Sequence, residues 1–446
     1  MTSTRIPTGS RPTPPVRPGP AASPRQHTPD EPASTARFAG TREAVVSVRR
    51  VFSASSANYF LLLGTTLFLV IFGLVMVLSS SSVESYLAND NDPFASFLKQ
   101  GLYALIGIPL MLVASLVPPA FWKRWAWVIL GAALVMQLLV FSPLGWGNDY
   151  NTNWIRIGPF SAQPSEIVKL ALILWMAWVL TKKADLLGDW RHVLVPIGPV
   201  AGLAMFLVLV GNDLGTVIIM FSIVMGVLYL AGVKLRYLIT TVLVLAAVGI
   251  PFAFSSASRS DRITAWLNGC AASDYEALCW QPVHGTWALA SGGVFGVGLG
   301  NSKSKWSWLP EADNDYIFAI IGEELGLIGA IVVLLLFIVL AIALFRVFHA
   351  TSDEYGRLVT GGVMIWIIGQ ALVNIAVVLG LLPVLGVPLP LISAGGSALI
   401  STLLGIGVVL SFARGAKTEP APALHPVDSP AARSRAAAAT RGSARR

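Results

Sequence analysis

The sequence predicts an all-α polytopic membrane protein with ten transmembrane helices, and three observations predict it. Apolar runs of about 20 residues, each able to cross a bilayer core of ~30 Å, recur along most of the chain. Only 12% of the 446 residues are charged while 55% are hydrophobic, and mean hydropathy is +0.70. Charge is thus about half as frequent as in a soluble domain. The formal charge of +8 sits in the tails: residues 1–50 hold eight Arg against three acids, residues 414–446 hold seven Lys or Arg against two, and −2 remains for the rest. That distribution excludes a nucleic-acid-binding body and suits tails that meet anionic membrane lipids.

The elements follow in order. Residues 1–50 are rich in Pro and carry no long apolar run, so they read as a disordered basic cytoplasmic tail. The first apolar run starts near Tyr59, far from the N-terminus and with no small-residue cleavage pattern after it, which makes it a retained span rather than a signal peptide. Ten spans are predicted at 59–80, 98–117, 122–141, 164–181, 192–210, 215–232, 236–255, 316–347, 360–382 and 391–413, within a membrane domain of residues 51–414. Residues 415–446, mostly Ala, Pro and Arg, form the second disordered basic tail. An even number of spans places both termini on one side. Arg49/Arg50, Lys123/Arg124, Lys182/Lys183, Lys234/Arg236, Arg346/Arg357 and Arg414/Lys417 fall on that side, which the positive-inside rule makes cytoplasmic. The opposite side receives Glu84 to Asp92, segment 142–163, the turn Gly211 to Asp213 and a large extracellular loop, 256–315.

That loop contains the only two cysteines, Cys270 and Cys279. On an oxidising side of the membrane, a disulfide closing this small loop is favoured over two free thiols. The histidines are scattered over both sides without Cys or His at metal spacing, so zinc is not expected. No phosphate-binding loop or dinucleotide fingerprint occurs, and outer chemistry must therefore use an already activated substrate.

Four polar clusters are candidates for chemistry. The first is Asn153-Trp154-Ile155-Arg156 followed by Gln163-Pro164-Ser165-Glu166 and Lys169. Pro164, Ser165 and Glu166 suit a helix start, but Lys169 lies inside the membrane on the same helix face as Glu166, where charge is costly and marks function. The second is Asp213 in Gly211-Asn212-Asp213-Leu214-Gly215-Thr216, a helix cap unless it shares a cavity with Lys169. The third comprises Trp280-Gln281, the glycine-rich run Ser291 to Gly300, Lys303, Lys305 and Leu309-Pro310-Glu311-Ala312-Asp313-Asn314-Asp315-Tyr316. Its glycines suit either close approach to a pyrophosphate, with lysines adding positive charge, or a tight re-entrant turn. Asp315 reads as an N-cap or a reactive carboxylate, and Glu323-Glu324 lie further inside the eighth span. The fourth is Asn374 with Pro383, Gly386, Pro388, Pro390 and Ser393-Ala394-Gly395-Gly396-Ser397, a broken helix that is tolerated where it is buried or lines a cavity.

Taken together, Gln163-Pro164-Ser165-Glu166, Asp213-Leu214-Gly215-Thr216, the stretch Leu309 to Gly329 and Leu389-Pro390-Leu391-Ile392-Ser393 with Gly395-Gly396-Ser397 resemble the SEDS family (shape, elongation, division and sporulation) from about Tyr59 to Arg414. Gly298-Leu299-Gly300-Asn301-Ser302 looks more like the family's division branch than its elongation branch, and the Pro/Arg-rich tails suggest an actinobacterial type. The resemblance implies an inverting peptidoglycan glycosyltransferase that polymerises lipid II at the outer face of the cytoplasmic membrane during septal synthesis. It implies Asp315 as the catalytic carboxylate and a substrate site including Arg156, Glu166, Lys169, Asp213, Gln281, Lys305, Ser393 and Ser397. It further implies a class B penicillin-binding protein as partner, with other division proteins. That partner's single span is expected on the eighth and ninth helices at Gly361, Gly362 and Gly369. No cofactor is assigned, and a divalent cation, Mg or Mn, would suit a departing pyrophosphate. A lipid II flippase is the alternative, since broken helices and membrane charges also serve transport.

Overall fold

The computed structural model describes residues 57–415 except 89, 149–150, 159, 255–256 and 269–278. Both tails and Cys270 lie outside the described residues. The elements in chain order are α1 (Ala57–Ala88), α2 (Ala95–Leu116), α3 (Pro119–Leu138), β1 (Gly145–Asn148), β2 (Asn151–Ile157), β3 (Phe160–Ala162), α4 (Pro164–Lys182), α5 (Trp190–Val210), α6 (Leu214–Leu230), α7 (Leu235–Phe254), α8 (Ala257–Asn268), α9 (Trp280–Gly292), α10 (Ile317–Ala350), α11 (Glu354–Val378) and α12 (Gly396–Gly415). Eight of the described helices, α1 to α5 and α10 to α12, are long and apolar enough to cross a membrane, while Leu214–Leu230 and Leu235–Ala247 are shorter apolar helices.

Local chemistry sets the helix starts. Pro119 and Pro164 occupy the first turns of α3 and α4, where a missing N–H costs nothing. Asp189, Asp213 and Asp353 accept backbone N–H bonds from Arg191, Thr216 and Gly356, capping α5, α6 and α11. The Asp353 cap starts α11 six residues before the predicted 360. Helix α4 is apolar nearly all round and buried from Val168 to Leu180 except at Trp178. A helix without a polar face belongs inside a bundle, and α4 packs against α3, α5, α6, α11 and α12. On α10, by contrast, Leu327, Ile331, Leu335, Ile338, Ile342 and Phe345 are exposed apolar residues, as a lipid-facing stripe requires.

Three features go beyond the sequence reading. Segment 142–163 forms a three-stranded antiparallel sheet, β1-β2-β3, pairing Gly145 with Ile155 and Ile155 with Ala162. Segment 256–315 contributes two helices, α8 and α9. Finally, α11 ends at Val378 and α12 starts only at Gly396, so residues 379–395 run as an irregular connection with three prolines and positive φ at Gly380, Gly386 and Leu391.

The glycine-rich run closes on a break in α10. Gly326 has φ 70° and ψ −167°, which interrupts the helix. The run supplies replacement bonds there: Val297 N and Gly298 N donate to Glu323 O and Glu324 O, and Leu327 N donates to Gly293 O. A Cβ on Gly296 would stand 2.2 Å from Glu324 O and one on Gly292 1.9 Å from Gly322 O, so backbone meets backbone without room for side chains. The re-entrant turn is therefore the reading the geometry supports, and these N–H groups are committed to carbonyls rather than turned toward an anion.

The expected partner surface needs a correction of the same kind. A Cβ on Gly361 would lie 2.3 Å from Leu230, and one on Gly362 2.7 Å from Ile173, so both glycines serve close packing within the bundle. Only Gly369 of the three has nothing within 4 Å of its would-be Cβ.

Candidate active site

The site is built on the turn that leads into α10. Residues 310–316 form consecutive turns, and Tyr316, not Asp315, takes the helix-cap position, with no side-chain capping bond. The capping explanation for Asp315 therefore lapses. Asp315 is 8% exposed and its Oδ1 has no hydrogen-bond partner among the described residues. Burial and then the Glu311 charge push its carboxyl up to about 7, its own backbone N–H pulls it down, Asp313 adds to the rise and Arg262 opposes it. Asp313 is raised to about 7 as well, by burial first and then by the charges of Glu84 and Glu311.

The irregular segment 379–395 meets this turn. Ser393 Oγ donates to Asn314 O at 2.6 Å and accepts Leu389 N at 2.8 Å, and Ala394 N donates to Asp313 O at 2.8 Å. Ser397 Oγ accepts Gln163 N at 3.0 Å, bringing in the start of α4. Gln163 Nε2 in turn donates to Asp213 Oδ2 at 2.9 Å while Asp213 Oδ1 caps α6 through Thr216 N, so Asp213 has both roles. Burial pushes the Asp213 carboxyl up, its bonds to Thr216 and the nearby Lys169 charge pull it down, and the Glu166 charge opposes them.

Lys169 and Glu166 form the buried pair expected from their spacing, with Nζ 2.8 Å from Glu166 Oε1 and the two side chains 1% and 2% exposed. Lys169 Nζ also donates to Gln370 Oε1 at 2.9 Å and lies 5.0 Å above the Trp366 ring. Gln370 Nε2 continues to Pro388 O at 3.0 Å. The pair thus ties α4 to α11 and to the irregular segment. Asp213, Glu166, Lys169, Ser393, Ser397 and the Asp315 turn belong to one connected network.

Two expected residues, Lys305 and Arg156, lie apart from it, and Gln281 meets only the backbone of the turn. Lys305 is 6% exposed, and its Nζ donates to Gly300 O at 2.6 Å and Ser79 O at 3.3 Å, with Glu324 Oε1 at 3.5 Å. A lysine so engaged fastens the glycine-rich loop to α1 and α10 and is not poised for a pyrophosphate. Arg156 is exposed on β2 with its guanidinium 5.2 Å from the Trp146 ring. Gln281 Nε2 donates to Pro310 O at 3.2 Å, supporting the turn through its backbone. Cys279 is buried and disulfide-bonded. The sequence does not single out Gln100, Gln370 or Ser79: each glutamine is a lone amide within an apolar helix, and Ser79 is one of four consecutive serines at the end of an apolar run.

A multi-span helical membrane protein with a buried carboxylate, one oxygen of it unpartnered, at the loop-bearing end of its bundle is the class that fold and site define. The family model described as "Cell cycle protein", covering FtsW, RodA and SpoVE, matches residues 59–418, and the chain belongs to this family. It is 38% identical over 359 residues to the probable peptidoglycan glycosyltransferase FtsW of Mycobacterium tuberculosis (80% of this chain, 68% of that protein). It is 39% identical over 345 residues to the protein of the same description from Geobacter sp. (77% and 93%). A solved structure described as "Structural coordination of polymerization and crosslinking by a peptidoglycan synthase complex" superposes with a TM-score of 0.66 at 25% identity, covering 79% of this chain and 98% of that one. The rod shape determining protein RodA of Thermus thermophilus, at 24% identity and TM-score 0.58, shares the fold over 80% of this chain and 97% of its own.

Proposed function

We propose that this protein is a peptidoglycan glycosyltransferase of septal cell-wall synthesis, with Asp315 as general base. In this reading all ten apolar helices, including the shorter α6 and α7, cross the membrane, both termini are cytoplasmic, and Asp315 faces lipid II at the outer surface. The observation that carries it is the state of that carboxylate: buried, with one oxygen unpartnered, and raised to about 7, so that it can take a proton near neutral pH. The acceptor sugar hydroxyl attacks the anomeric carbon of the lipid-linked donor. Its proton passes to Asp315 while the bond to the pyrophosphate oxygen breaks, the electron pair leaves with the lipid pyrophosphate, and configuration inverts. Pyrophosphate needs no protonation to leave, so a second carboxylate acting as acid is unnecessary.

Mg or Mn at the departing pyrophosphate belongs to this reading as an ion carried by the substrate. Among the described residues no group of three or more His, Cys, Asp or Glu side chains could hold a resident metal. A class B penicillin-binding protein is the proposed partner, its span lying beside Gly369 and the exposed apolar stripe of α10. The reading is tested by polymerisation of lipid II with purified protein and partner. Asp315→Asn should lose glycan synthesis while keeping expression and partner binding, and Asp313→Asn should stay active. Equal turnover by Asp315→Asn and the parent would sink the assignment and revive the flippase alternative.

A further inference from the structure

Three successive carbonyls carry the turn that presents Asp315. Asp313 O accepts from Ala394 N at 2.8 Å, Asn314 O from Ser393 Oγ at 2.6 Å, and Asp315 O from Asn374 Nδ2 at 2.7 Å. Asn374, on the outer part of α11, donates with the same nitrogen to Val387 O at 2.8 Å. Both of its partners are carbonyl oxygens, which only accept, so the amide nitrogen has to face them. Gln100 of α2 grips the irregular segment from the other side: Nε2 donates to Ser393 O at 3.1 Å and Oε1 accepts Gly395 N at 3.2 Å. Asn374, Gln100 and Ser393 are 1%, 5% and 5% exposed. None of these bonds reaches the Asp315 carboxylate, whose Oδ1 stays unpartnered. The backbone is held from three sides and the reactive group is left open.

We infer that Asn374, Ser393 and Gln100 are positioning residues that form a clamp locking residues 313–315 onto the irregular segment 387–395, and that this clamp, acting through main-chain groups alone, holds the Asp315 carboxylate where it meets the acceptor hydroxyl. The inference rests on the reading of Asp315 as general base, and it gives Ser393 a role other than substrate contact. Turn residues held by so few bonds of their own would otherwise sample many positions. A displacement of about 1 Å at a reacting group costs on the order of 100-fold in rate.

The test is lipid II polymerisation by the purified full-length protein with its partner, with initial rates recorded against lipid II concentration and pH for Asn374→Ala, Ser393→Ala, Ser393→Thr and Gln100→Met. The two Ala variants should lose at least about tenfold in kcat with KM within about twofold, because the group they misplace acts in the transition state. Their acidic rate limb should move to lower pH as Asp315 gains water. Glu311, Asp313 and Tyr316 of its own segment and Arg262 of α8 are the titratable and charged groups that face it. Ser393→Thr keeps the hydroxyl and should restore kcat. A parent-like kcat and acidic limb in Ala variants that melt normally would overturn the clamp, as would a rise in KM alone. Should both Ala variants fail to fold, Gln100→Met cuts the same clamp one bond further away, and a parent-like kcat there would overturn it too. An inactive parent, or an active Asp315→Asn, would instead overturn the proposed function, so the two failures are distinguishable.

Discussion

Lys169→Met is the perturbation whose size the structure fixes best. The ammonium has a carboxylate oxygen at 2.8 Å, an amide oxygen at 2.9 Å and the face of Trp366 at 5.0 Å, and it is screened from solvent. Methionine fills nearly the same volume and donates nothing. Gln370 Oε1 keeps its bond from Trp366 Nε1 at 3.0 Å, but Glu166, whose Oε2 already lacks a partner, loses its counter-charge. Removing one member of a buried pair typically costs ~3–5 kcal/mol, a large share of the roughly 5–15 kcal/mol that folded proteins possess. If the stranded charge is the cause, Glu166→Gln in the same chain must relieve it, so the double variant should recover most of that loss. Both variants should be inactive, because Lys169 also sets the field around Asp213 and, through Gln370, the placement of Pro388. The assay is unfolding in lipid nanodiscs alongside lipid II polymerisation. A double variant as unstable as Lys169→Met would refute the stranded-charge account, and normal polymerisation by Lys169→Met would confine the pair to architecture.

Asp315→Asn should also change how stability depends on pH. The folded-state values of Asp313 and Asp315 rise from 3.8 to about 7, so between those limits the native state holds protons that the unfolded chain has released, and stability falls as pH rises through that window. Asp315→Asn removes its part of that loss. Its melting temperature should match or exceed the parent's at pH 8 and converge on it toward pH 4; a lower value at pH 8 would contradict this. Lys305→Met should lower the melting temperature and speed proteolysis within residues 293–308 without raising KM for lipid II, because Lys305 fastens Gly300 O and Ser79 O. A rise in KM with unchanged stability would return Lys305 to the substrate. Gly369→Leu should weaken co-purification of the partner while leaving the fold intact, and Gly362→Leu should prevent folding, since Ile173 already stands 2.7 Å from its would-be Cβ. Co-purification and melting temperature together separate the two.

The helices were legible because their signal is local. A run of about 20 apolar residues survives any tertiary context, and Pro164 and Asp213 mark helix starts within a residue of where they occur. The β1-β3 sheet was not legible: strands of four, seven and three residues with mixed polarity give no lasting alternation. Asp315, Asp213 and the Glu166–Lys169 pair could be named from type, spacing and the resemblance they carry. What surrounds them could not, because Asn374 reaches a carbonyl 59 residues away and Gln100 one 293 residues away. An amide in an apolar helix says only that some partner exists. Lys305 was misplaced for a related reason. Its counter-charge Glu324 stands 19 residues later, and only the break at Gly326, filled by the glycine-rich run, brings the loop back onto it.

The buried carboxylates differ in how their oxygens are used, and that difference selects among them. Glu323 accepts from Ser302 Oγ, Lys303 N and Ser304 N. Glu324 accepts from Ser79 Oγ and Ser302 N, with Lys305 Nζ beside it. Neither can receive a substrate proton without displacing a donor that holds the glycine-rich loop in place. Glu166 retains one unpartnered oxygen, yet its charge is already balanced by Lys169 at 2.8 Å. Asp315 alone of these four combines an unpartnered oxygen, no adjacent ammonium and a main chain fixed from outside. Donors stabilise a carboxylate as an anion and thereby take away its appetite for a proton, whereas burial with one oxygen left open preserves that appetite. The same logic explains why the side-chain bonds around the Asp315 turn go to carbonyls: a further donor on the carboxylate, beyond its own backbone N–H, would place it just as firmly and disarm it.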